Sequence, residues 1–143
     1  MECTVRWLGA DAASPMSFVA ATGSGHLLTV DGAPDGGGRN LAPRPMELVL
    51  AGAGACTAYD VVLILRRGRH DVRGCEVRLA AERAPTDPKV FTRIEFQFVV
   101  RGRNLSREAV ERAVRLSHEK YCSAAAMLSK TATLTYSVAV EAC

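Results

Sequence analysis

The chain has 143 residues, of which 48% are hydrophobic and only 6% aromatic, and it carries a formal net charge of +3. This length predicts a single domain, residues 1–143, that is large enough to bury a hydrophobic core. Because the net charge is small and basic residues do not alternate with aromatic ones, the composition argues against a nucleic-acid-binding protein.

The first forty residues predict a small antiparallel sheet followed by a loop. Strands are expected at residues 3–8, 17–21 and 26–30, and a turn at residues 22–25 joins the last two. Residues 31–40 contain three adjacent glycines and are typical of a flexible loop. The glycines could hold an anion, but their spacing matches no phosphate-binding motif, so a mobile linker is the preferred interpretation.

Residues 45–65 contain no lysine or arginine and predict one long helix. Pro45 suits the first helical position and Glu47 the first turn, while the arginines after residue 65 suit the C-terminus, where Gly68 offers a left-handed stop. A helix that is apolar on nearly every side is expected to be buried on nearly every side. We do not expect it to span a membrane, because its strongly apolar part, residues 61–65, is too short.

The centre of this helix, residues 51–55, consists of alanine and glycine, and Cys56 follows directly. Gly52 and Gly54 each lower helix propensity by about 1 kcal/mol, so we expect them to allow another backbone to approach closely. Considered alone, Cys56 is most simply a buried cysteine that packs as a small hydrophobe.

The use of cysteine indicates a reducing environment. The five cysteines form an odd set without dense spacing, and the N-terminal stretch lacks the apolar segment of a signal peptide. We therefore expect a cytoplasmic protein with free thiols. No cysteine or histidine pair has the spacing of a zinc site, so we expect no structural metal and no cofactor. The cysteines are Cys3, Cys56, Cys75, Cys122 and Cys143.

The second half of the chain predicts a hairpin, a helix and a closing strand. The hairpin strands are expected at residues 72–84 and 90–100, and the closing strand at residues 131–140. The resulting order, βββ-α-ββ-α-β, predicts an α+β fold with an antiparallel sheet and two segregated helices. One face of the second hairpin strand carries the apolar residues Ile94, Phe96, Phe98 and Val100.

The second helix is expected to begin at Ser106, a good N-cap, and to run to Tyr121. Residues 122–128 either continue this helix or start a new turn capped at Ser123.

Two segments carry a resemblance to a known family. Residues 47–56 read Glu-Leu-Val-Leu-Ala-Gly-Ala-Gly-Ala-Cys, and residues 119–128 read Glu-Lys-Tyr-Cys-Ser-Ala-Ala-Ala-Met-Leu. Both resemble the osmotically inducible protein C / organic hydroperoxide resistance (OsmC/Ohr) family, in its OsmC-like branch. The resemblance covers essentially the whole chain and includes the strand order.

The resemblance implies an intertwined homodimer in which antiparallel sheets wrap two long central helices, one from each subunit. It also implies thiol-dependent reduction of organic hydroperoxides in oxidative stress defence, with Cys56 as the peroxidatic and Cys122 as the resolving cysteine. An external dithiol would reduce the disulfide that these cysteines form. The implied partners are an organic hydroperoxide, a dithiol reductant and a second copy of the chain, with no nucleic acid and no membrane.

Active members of the family carry an arginine and a glutamate near the peroxidatic cysteine. The glutamate usually lies ten residues before the cysteine, where this chain has Met46, whereas Glu47 lies nine residues before it. For the arginine, Arg39 is the first candidate and Arg44 the second, and each is alternatively a solvated loop charge. A weak enzyme is therefore expected.

Two other functions stay open at this point. The chain could be a non-enzymatic redox-sensing or small-ligand-binding protein, whose cysteines oxidise only once. A Cys–His hydrolase is the other, because His118 lies four residues before Cys122 and the two would share a face of an unbroken helix. Alternatively, His118 is a surface or interface residue. Turnover with a dithiol distinguishes the peroxidase from the binding protein.

Overall fold

The computed structural model describes residues 1–143, and the chain divides into two compact units, Met1–Leu50 and Ala51–Cys143. The first unit holds an antiparallel sheet with the strand order β1-β2-β3. Its strands are β1, Cys3–Trp7; β2, Phe18–Thr22; and β3, Leu27–Val30. Each predicted strand is confirmed with its ends shifted by at most one residue.

The sheet of the first unit leaves much apolar surface uncovered. All five residues of β1 are exposed, and Val5 and Trp7 keep 62% and 52% of their surface accessible. On β3, Leu27 and Leu28 are also exposed. A three-stranded sheet requires packing on a hydrophobic face for stability, so this surface is available to a further element.

The expectation of a flexible loop at residues 31–40 is wrong, because Asp31 fastens the segment. This side chain is 1% exposed and accepts a hydrogen bond from the Ser14 hydroxyl at 2.6 Å. It also accepts backbone N–H bonds from Gly32, Arg39 and Leu41 at 2.8, 3.2 and 2.9 Å. Composition does not reveal this, because the bonds converge on one carboxylate from distant positions.

The glycines of this segment serve a close contact rather than mobility. Pro34–Gly36 forms a 3-10 turn, after which the backbone returns to the start of the segment. A Cβ atom at Gly38 would lie 2.0 Å from the carbonyl oxygen of Gly32, which no side chain can tolerate. Glycine is therefore required at position 38 for steric reasons.

The long helix α1 spans Pro45–Arg67. Near its start the Glu47 carboxylate accepts the backbone N–H of Arg44 at 2.9 Å, while the Arg44 carbonyl accepts the N–H of Leu48. This arrangement is one half of a capping box, so Glu47 stabilises the helix start. The predicted helix is thus confirmed, with its end two residues later than expected.

The C-terminus of α1 differs from the prediction. His70 donates its N–H to the carbonyl of Leu65, and Arg69 donates to Arg66, which is the Schellman pattern. The left-handed residue of this pattern is Arg69, with φ of 61°, and not Gly68. Glycine is the usual residue at such a position. Here the hydrogen bonds of Arg69 and His70 place the left-handed conformation at Arg69, one residue after Gly68.

Only one face of α1 is buried within the chain. The buried residues form one stripe that starts with the adjacent pair Ala53 and Gly54 and continues at intervals of three or four with Thr57, Val61 and Leu65. Ala51, Gly52, Ala55 and Tyr59 are exposed. The expectation of burial on nearly every side is therefore wrong for the single chain, because one chain covers only one side of the helix.

The small residues of α1 have different neighbours from those expected. A Cβ atom at Gly54 would lie 2.7 Å from a terminal carbon of Leu79, so this glycine makes room for a side chain rather than for a backbone. At Gly52 an added Cβ atom would meet nothing within 4 Å. The two glycines thus differ in kind, although the sequence places them only two residues apart.

By length and composition, α1 is apolar enough to cross a membrane. The sequence argument that its apolar part, residues 61–65, is too short for a membrane span is therefore not supported by its hydropathy. Core helices of small domains meet the same criterion. The polar residues of α1 favour a core helix over a membrane span. The side chains of Thr57 and Asp60 both form hydrogen bonds with Ser117 of another helical segment.

The second unit contains a sheet with the strand order β4-β5-β6. Its elements are β4, Asp71–Arg83; β5, Phe91–Arg103; α2, Arg107–Leu116; a π-helical turn, Ser117–Tyr121; α3, Ser123–Leu128; and β6, Thr133–Ala142. Strands β4 and β5 are antiparallel, but β6 runs parallel to β5, which corrects the expectation of purely antiparallel sheets. The helical connection between β5 and β6 is the crossover that parallel neighbours require.

The core of this unit lies on one face of β5, as predicted. Its four alternating apolar residues are at most 1% exposed, while Glu95 and Gln97 between them are exposed. Helix α2 lies against β6 and begins at Ser106, whose hydroxyl accepts the N–H of Ala109 at 3.2 Å. The α+β fold and the Ser106 cap are confirmed.

The Asp31 network predicts a specific response to acid. Hydrogen bonds, first from Ser14 and then from Leu41, lower the pKa of Asp31 to about 2 from an ordinary 3.8. A carboxyl with a lowered pKa stabilises the fold above its unfolded pKa and loses that effect as the pH falls through its folded pKa. We therefore expect the thermal midpoint of the wild type to fall between about pH 4 and pH 2.

The variant Asp31→Asn should unfold at a lower temperature than the wild type at pH 7 and lose this part of the acid dependence. Asparagine replaces one carboxylate oxygen with an NH₂ group. This group would face backbone N–H donors, with which it cannot form hydrogen bonds. Asp35→Asn is the matched control, because Asp35 is exposed in the same segment. Thermal unfolding followed by circular dichroism from pH 2 to pH 7 measures both; equal profiles for Asp31→Asn and the wild type would contradict the assignment.

Candidate active site

Three side chains from two separate segments of the chain meet in the second unit. The sulfur atoms of Cys56 and Cys122 and a carboxylate oxygen of Asp60 all lie within 4.8 Å of one another. Cys122 is 2% exposed, whereas Cys56 and Asp60 are half-buried. We call these three residues the thiol–carboxylate cluster.

Helix α1 supplies two members of the cluster. Cys56 and Asp60 are four residues apart within the helix, so their side chains lie on the same face, one turn apart. The helix therefore sets the distance between the Cys56 thiol and the Asp60 carboxylate without help from the rest of the chain.

Cys122 is positioned by a change of helical type. Its N–H donates to the carbonyl of Ser117, five residues back, at 2.7 Å, and this bond closes the π-helical turn. Cys122 then leaves the helical conformation, and its sulfur accepts the N–H of Ala125 at 3.4 Å. Of the two alternatives that the sequence left open, the structure shows a new turn, and this turn is capped at Cys122 rather than at Ser123. Single π-helical turns occur frequently at functional sites.

A chain of hydrogen bonds joins the two parts of the site. The Ser117 hydroxyl donates to the Asp60 carboxylate at 3.0 Å and lies 3.2 Å from the Thr57 hydroxyl. Because the single Ser117 proton is used toward Asp60, Thr57 is the donor to Ser117. Ser117 and Thr57 are 0% and 1% exposed, so these bonds pair polar groups that water does not reach.

The electrostatics of the site distinguish the two thiols. Burial raises the pKa of the Cys122 thiol to about 11, and Cys56 and the charge of Asp60 add to this effect. The Ala125 N–H opposes it, since it donates to the sulfur. At neutral pH Cys122 is therefore a protonated thiol, and Cys56 is the more accessible of the two.

An unbroken helix would place His118 on the same face as Cys122, but in the structure His118 has a different partner. Its Nδ1 shares a hydrogen bond with the Tyr136 hydroxyl, and the two ring centroids are 4.1 Å apart. Burial lowers the pKa of His118 and raises the pKa of Tyr136. His118 is thus paired with Tyr136, and Asp60 is the group that lies within 4.8 Å of both sulfurs, so the geometry does not favour a Cys–His hydrolase.

The three supporting residues suggested by the sequence lie in the first unit and are exposed. Arg39 donates its backbone N–H to Ser14 and Asp31, and Arg44 donates its backbone N–H to Glu47. These bonds show structural roles for the Arg39 backbone and the Glu47 carboxylate. A role of Arg39, Arg44 or Glu47 beside the thiols stays a prediction.

The remaining cysteines lie outside the cluster. Cys3 and Cys143 are exposed, and Cys75 is half-buried on β4, where burial raises its pKa. Cys75 therefore offers a matched control for experiments on Cys56 and Cys122.

Sequence reasoning missed the roles of Thr57 and Ser117. A signal was present, because Thr57 and Asp60 are polar residues inside an apolar helix, and buried polar groups need hydrogen-bond partners. The sequence does not name the partner, since Ser117 is 60 residues from Thr57.

We predict that Ser117→Ala destabilises the fold by about 1–3 kcal/mol, because the change leaves the buried Thr57 hydroxyl without its acceptor and Asp60 without a donor. Ser123→Ala is the control: Ser123 is exposed in the neighbouring turn, and we expect an effect within about 0.5 kcal/mol. Urea unfolding of both variants measures the difference. Equal stabilities of Ser117→Ala and Ser123→Ala would show that the hydrogen-bond chain contributes nothing.

Comparison with known proteins agrees with the resemblance seen in the sequence. Residues 36–137 match the family described as OsmC-like protein. The chain is 46% identical to protein YhfA of Escherichia coli K12 over 142 residues, which cover 99% of each protein.

Solved structures repeat the fold. A hypothetical protein from Aquifex aeolicus is 30% identical, with a TM-score of 0.83 over 99% of this chain and 96% of that one. An organic hydroperoxide resistance protein OsmC from Legionella pneumophila is 18% identical, with a TM-score of 0.69 over 98% of each chain, and so shares the fold. On the family match, the coverage and the identity to YhfA, the chain belongs to the OsmC family.

Proposed function

We propose that this protein is a thiol-dependent hydroperoxide reductase, with residues 1–143 acting as one OsmC-like domain in the cytoplasm. The observation that carries the proposal is the approach of the Cys56 and Cys122 sulfurs to within 4.8 Å. A disulfide requires a small movement from this distance. The name of the Legionella relative, an organic hydroperoxide resistance protein, supports the same substrate class.

The proposed cycle has three balanced steps. The Cys56 thiolate attacks the terminal peroxide oxygen of R–O–O–H, the O–O bond breaks, and Cys56 becomes a sulfenic acid while the alcohol R–OH leaves after taking up a proton. The Cys122 thiol then attacks the sulfenic sulfur, forming the disulfide and releasing water. An external dithiol finally reduces this disulfide and is itself oxidised to a disulfide.

The roles of the two thiols follow from their surroundings. Cys56 is half-buried and can meet a substrate, whereas Cys122 is 2% exposed. Burial first, with Cys56 and Asp60 adding to it, raises the pKa of Cys122 to about 11, so this thiol is protonated at neutral pH and is the weaker candidate for the attack on peroxide. Cys56 is therefore the peroxidatic cysteine and Cys122 the resolving cysteine of the proposed reaction.

The thiolate of Cys56 needs a nearby cation, and Arg39, followed by Arg44, stays the candidate that the sequence suggests for this role. Asp60 in the cluster opposes a negative charge on sulfur, and Met46 stands where active relatives carry glutamate. Both features favour a slow enzyme. The reductant is a dithiol, because a dithiol can resolve its mixed disulfide internally.

We predict that Cys56→Ser abolishes dithiol-dependent consumption of an organic hydroperoxide such as tert-butyl hydroperoxide. Cys122→Ser should consume one equivalent of peroxide per chain and then stop, because the sulfenic acid cannot be resolved. Cys75→Ser is the control and should keep the wild-type rate, since Cys75 lies outside the cluster. Peroxide loss and mass spectrometry of the cysteine peptides measure these outcomes.

The same experiment distinguishes the peroxidase from the alternative, a non-enzymatic redox sensor or ligand-binding protein. A sensor would form the Cys56–Cys122 disulfide once and show no sustained turnover with any dithiol. Undiminished turnover by Cys56→Ser would contradict both the catalytic assignment and the sensor based on this pair.

We further propose that the protein is an intertwined homodimer. The exposed face of α1 carries Ala51, Gly52, Ala55 and the 69% exposed Tyr59. In the first unit, β1 and β3 separately leave the apolar side chains of Val5, Trp7, Leu27 and Leu28 exposed. Exposed apolar surface of this kind commonly marks a protein–protein interface. A second copy of α1 fits the small residues, because they allow helices to pack closely.

We predict that Gly52→Leu weakens the dimer and lowers its thermal midpoint. Within one chain an added Cβ atom meets no neighbour within 4 Å, and leucine is a better helix former than glycine by about 1 kcal/mol, so a monomeric protein would instead become more stable. Gly54→Leu is the contrasting variant, because its Cβ atom would meet Leu79 at 2.7 Å and should destabilise the chain itself. Analytical ultracentrifugation and thermal unfolding measure both; a stable wild-type monomer would contradict the dimer.

A further inference from the structure

We propose that the reduced thiol–carboxylate cluster binds one thiophilic divalent cation, of which Zn²⁺ is the representative, through Cys56 Sγ, Cys122 Sγ and a carboxylate oxygen of Asp60. The proposal concerns the site of the proposed peroxidase but uses it for a different chemistry. The bound metal ion would compete with peroxide for the same two sulfur atoms.

The distances within the cluster suit a tetrahedral metal ion. Zinc bonds of about 2.3 Å to sulfur and 2.1 Å to oxygen place two sulfur ligands about 3.8 Å apart, and a sulfur and an oxygen about 3.6 Å apart. The three ligand atoms already lie within 4.8 Å of one another. A contraction of at most about 1.2 Å, which rotation of the side chains can supply, therefore completes the geometry.

The donor set selects the class of cation. Two thiolates and one carboxylate are typical ligands of Zn²⁺ and similar soft or borderline ions. Calcium and magnesium ions require mostly oxygen ligands, six or more for calcium, and the cluster offers those ions only Asp60. Three protein ligands leave a fourth position for water or another small ligand.

The surroundings hold the carboxylate in place. Ser117 donates to one oxygen of Asp60 at 3.0 Å and is itself held by Thr57. A carboxylate accepts several partners, so this bond leaves lone pairs for a metal ion. Outer hydrogen bonds of this kind orient metal ligands and commonly change metal affinity about 10–100-fold when removed.

Metal binding and disulfide formation exclude each other at this site. The Cys56–Cys122 disulfide removes both sulfur ligands, and a bound ion occupies the electron pairs that would attack peroxide or the sulfenic acid. The reduced protein is therefore the binding form, and oxidation of the pair by two electrons releases the ion. Zinc binding is in turn expected to inhibit peroxide turnover.

The test is a titration of the metal-free, reduced protein with Zn²⁺ against a chromophoric chelator, with Cd²⁺–thiolate absorption in the ultraviolet as a second readout. We expect one ion per chain. Cys56→Ser and Cys122→Ser should each lower affinity by at least about 100-fold, and Asp60→Asn and Ser117→Ala by about 10–100-fold. Cys75→Ser is the control and should bind as the wild type.

Wild-type protein oxidised to the Cys56–Cys122 disulfide provides a comparison that needs no mutation, and it should bind at least about 100-fold more weakly than the reduced form. Equal binding by oxidised and reduced protein, or by Cys122→Ser and wild type, would overturn the proposal, as would the absence of binding to the folded, reduced wild type. Peroxide turnover in metal-free buffer is measured separately. Turnover without zinc binding would remove only the metal site, and zinc binding without turnover would remove only the peroxidase.

Discussion

The hydrogen bonds of Ser117 are the constraint on which the candidate site depends. They connect Asp60 and Thr57 of α1 to the π-helical turn, and that turn ends at Cys122. The two cysteines would otherwise belong to segments with no reason to hold a common register. Because Ser117 and Thr57 are buried, sliding one segment along the other would leave polar groups without partners, which costs more than an equivalent slide between apolar surfaces.

The position of Asp60 also shapes the chemistry of the cluster. Burial opposes ionisation of the Cys122 thiol, and the Asp60 carboxylate adds to this effect. Formation of a disulfide does not itself require a carboxylate beside the two sulfurs. The same negative charge attracts a cation, which would neutralise it together with two thiolates. The cluster therefore combines an arrangement suited to disulfide formation with one suited to metal binding, and its redox state separates the two.

The packing of α1 shows how one helix can serve two sets of neighbours. Gly54 faces Leu79 of the same chain, whereas Gly52, two residues earlier, faces open space. The polar residues lie near the face that the chain buries itself, and the exposed face has only small residues and Tyr59 at its centre. The helix therefore buries one face within its own chain and leaves the other face exposed, and this exposed face is the basis of the proposed dimer.

The sequence by itself determined the features that depend on local pattern. The alternation of Ile94, Phe96, Phe98 and Val100 located the buried face of β5, Ser106 marked the start of α2, and two motifs containing Cys56 and Cys122 identified the family. These signals lie within a few residues of the structure they specify, because side-chain periodicity and helix capping are local effects.

Only the tertiary structure decided the features that join distant residues. The four hydrogen bonds that order the segment after Asp31, the partnership of Thr57 with Ser117, and the parallel pairing of β5 with β6 have no local pattern. The π-helical turn, which gives His118 the partner Tyr136 and places Cys122 beside Cys56, is likewise invisible to helical periodicity. Such contacts depend on which segments pack together, and a buried polar residue states only that it needs a partner, not where in the chain that partner lies.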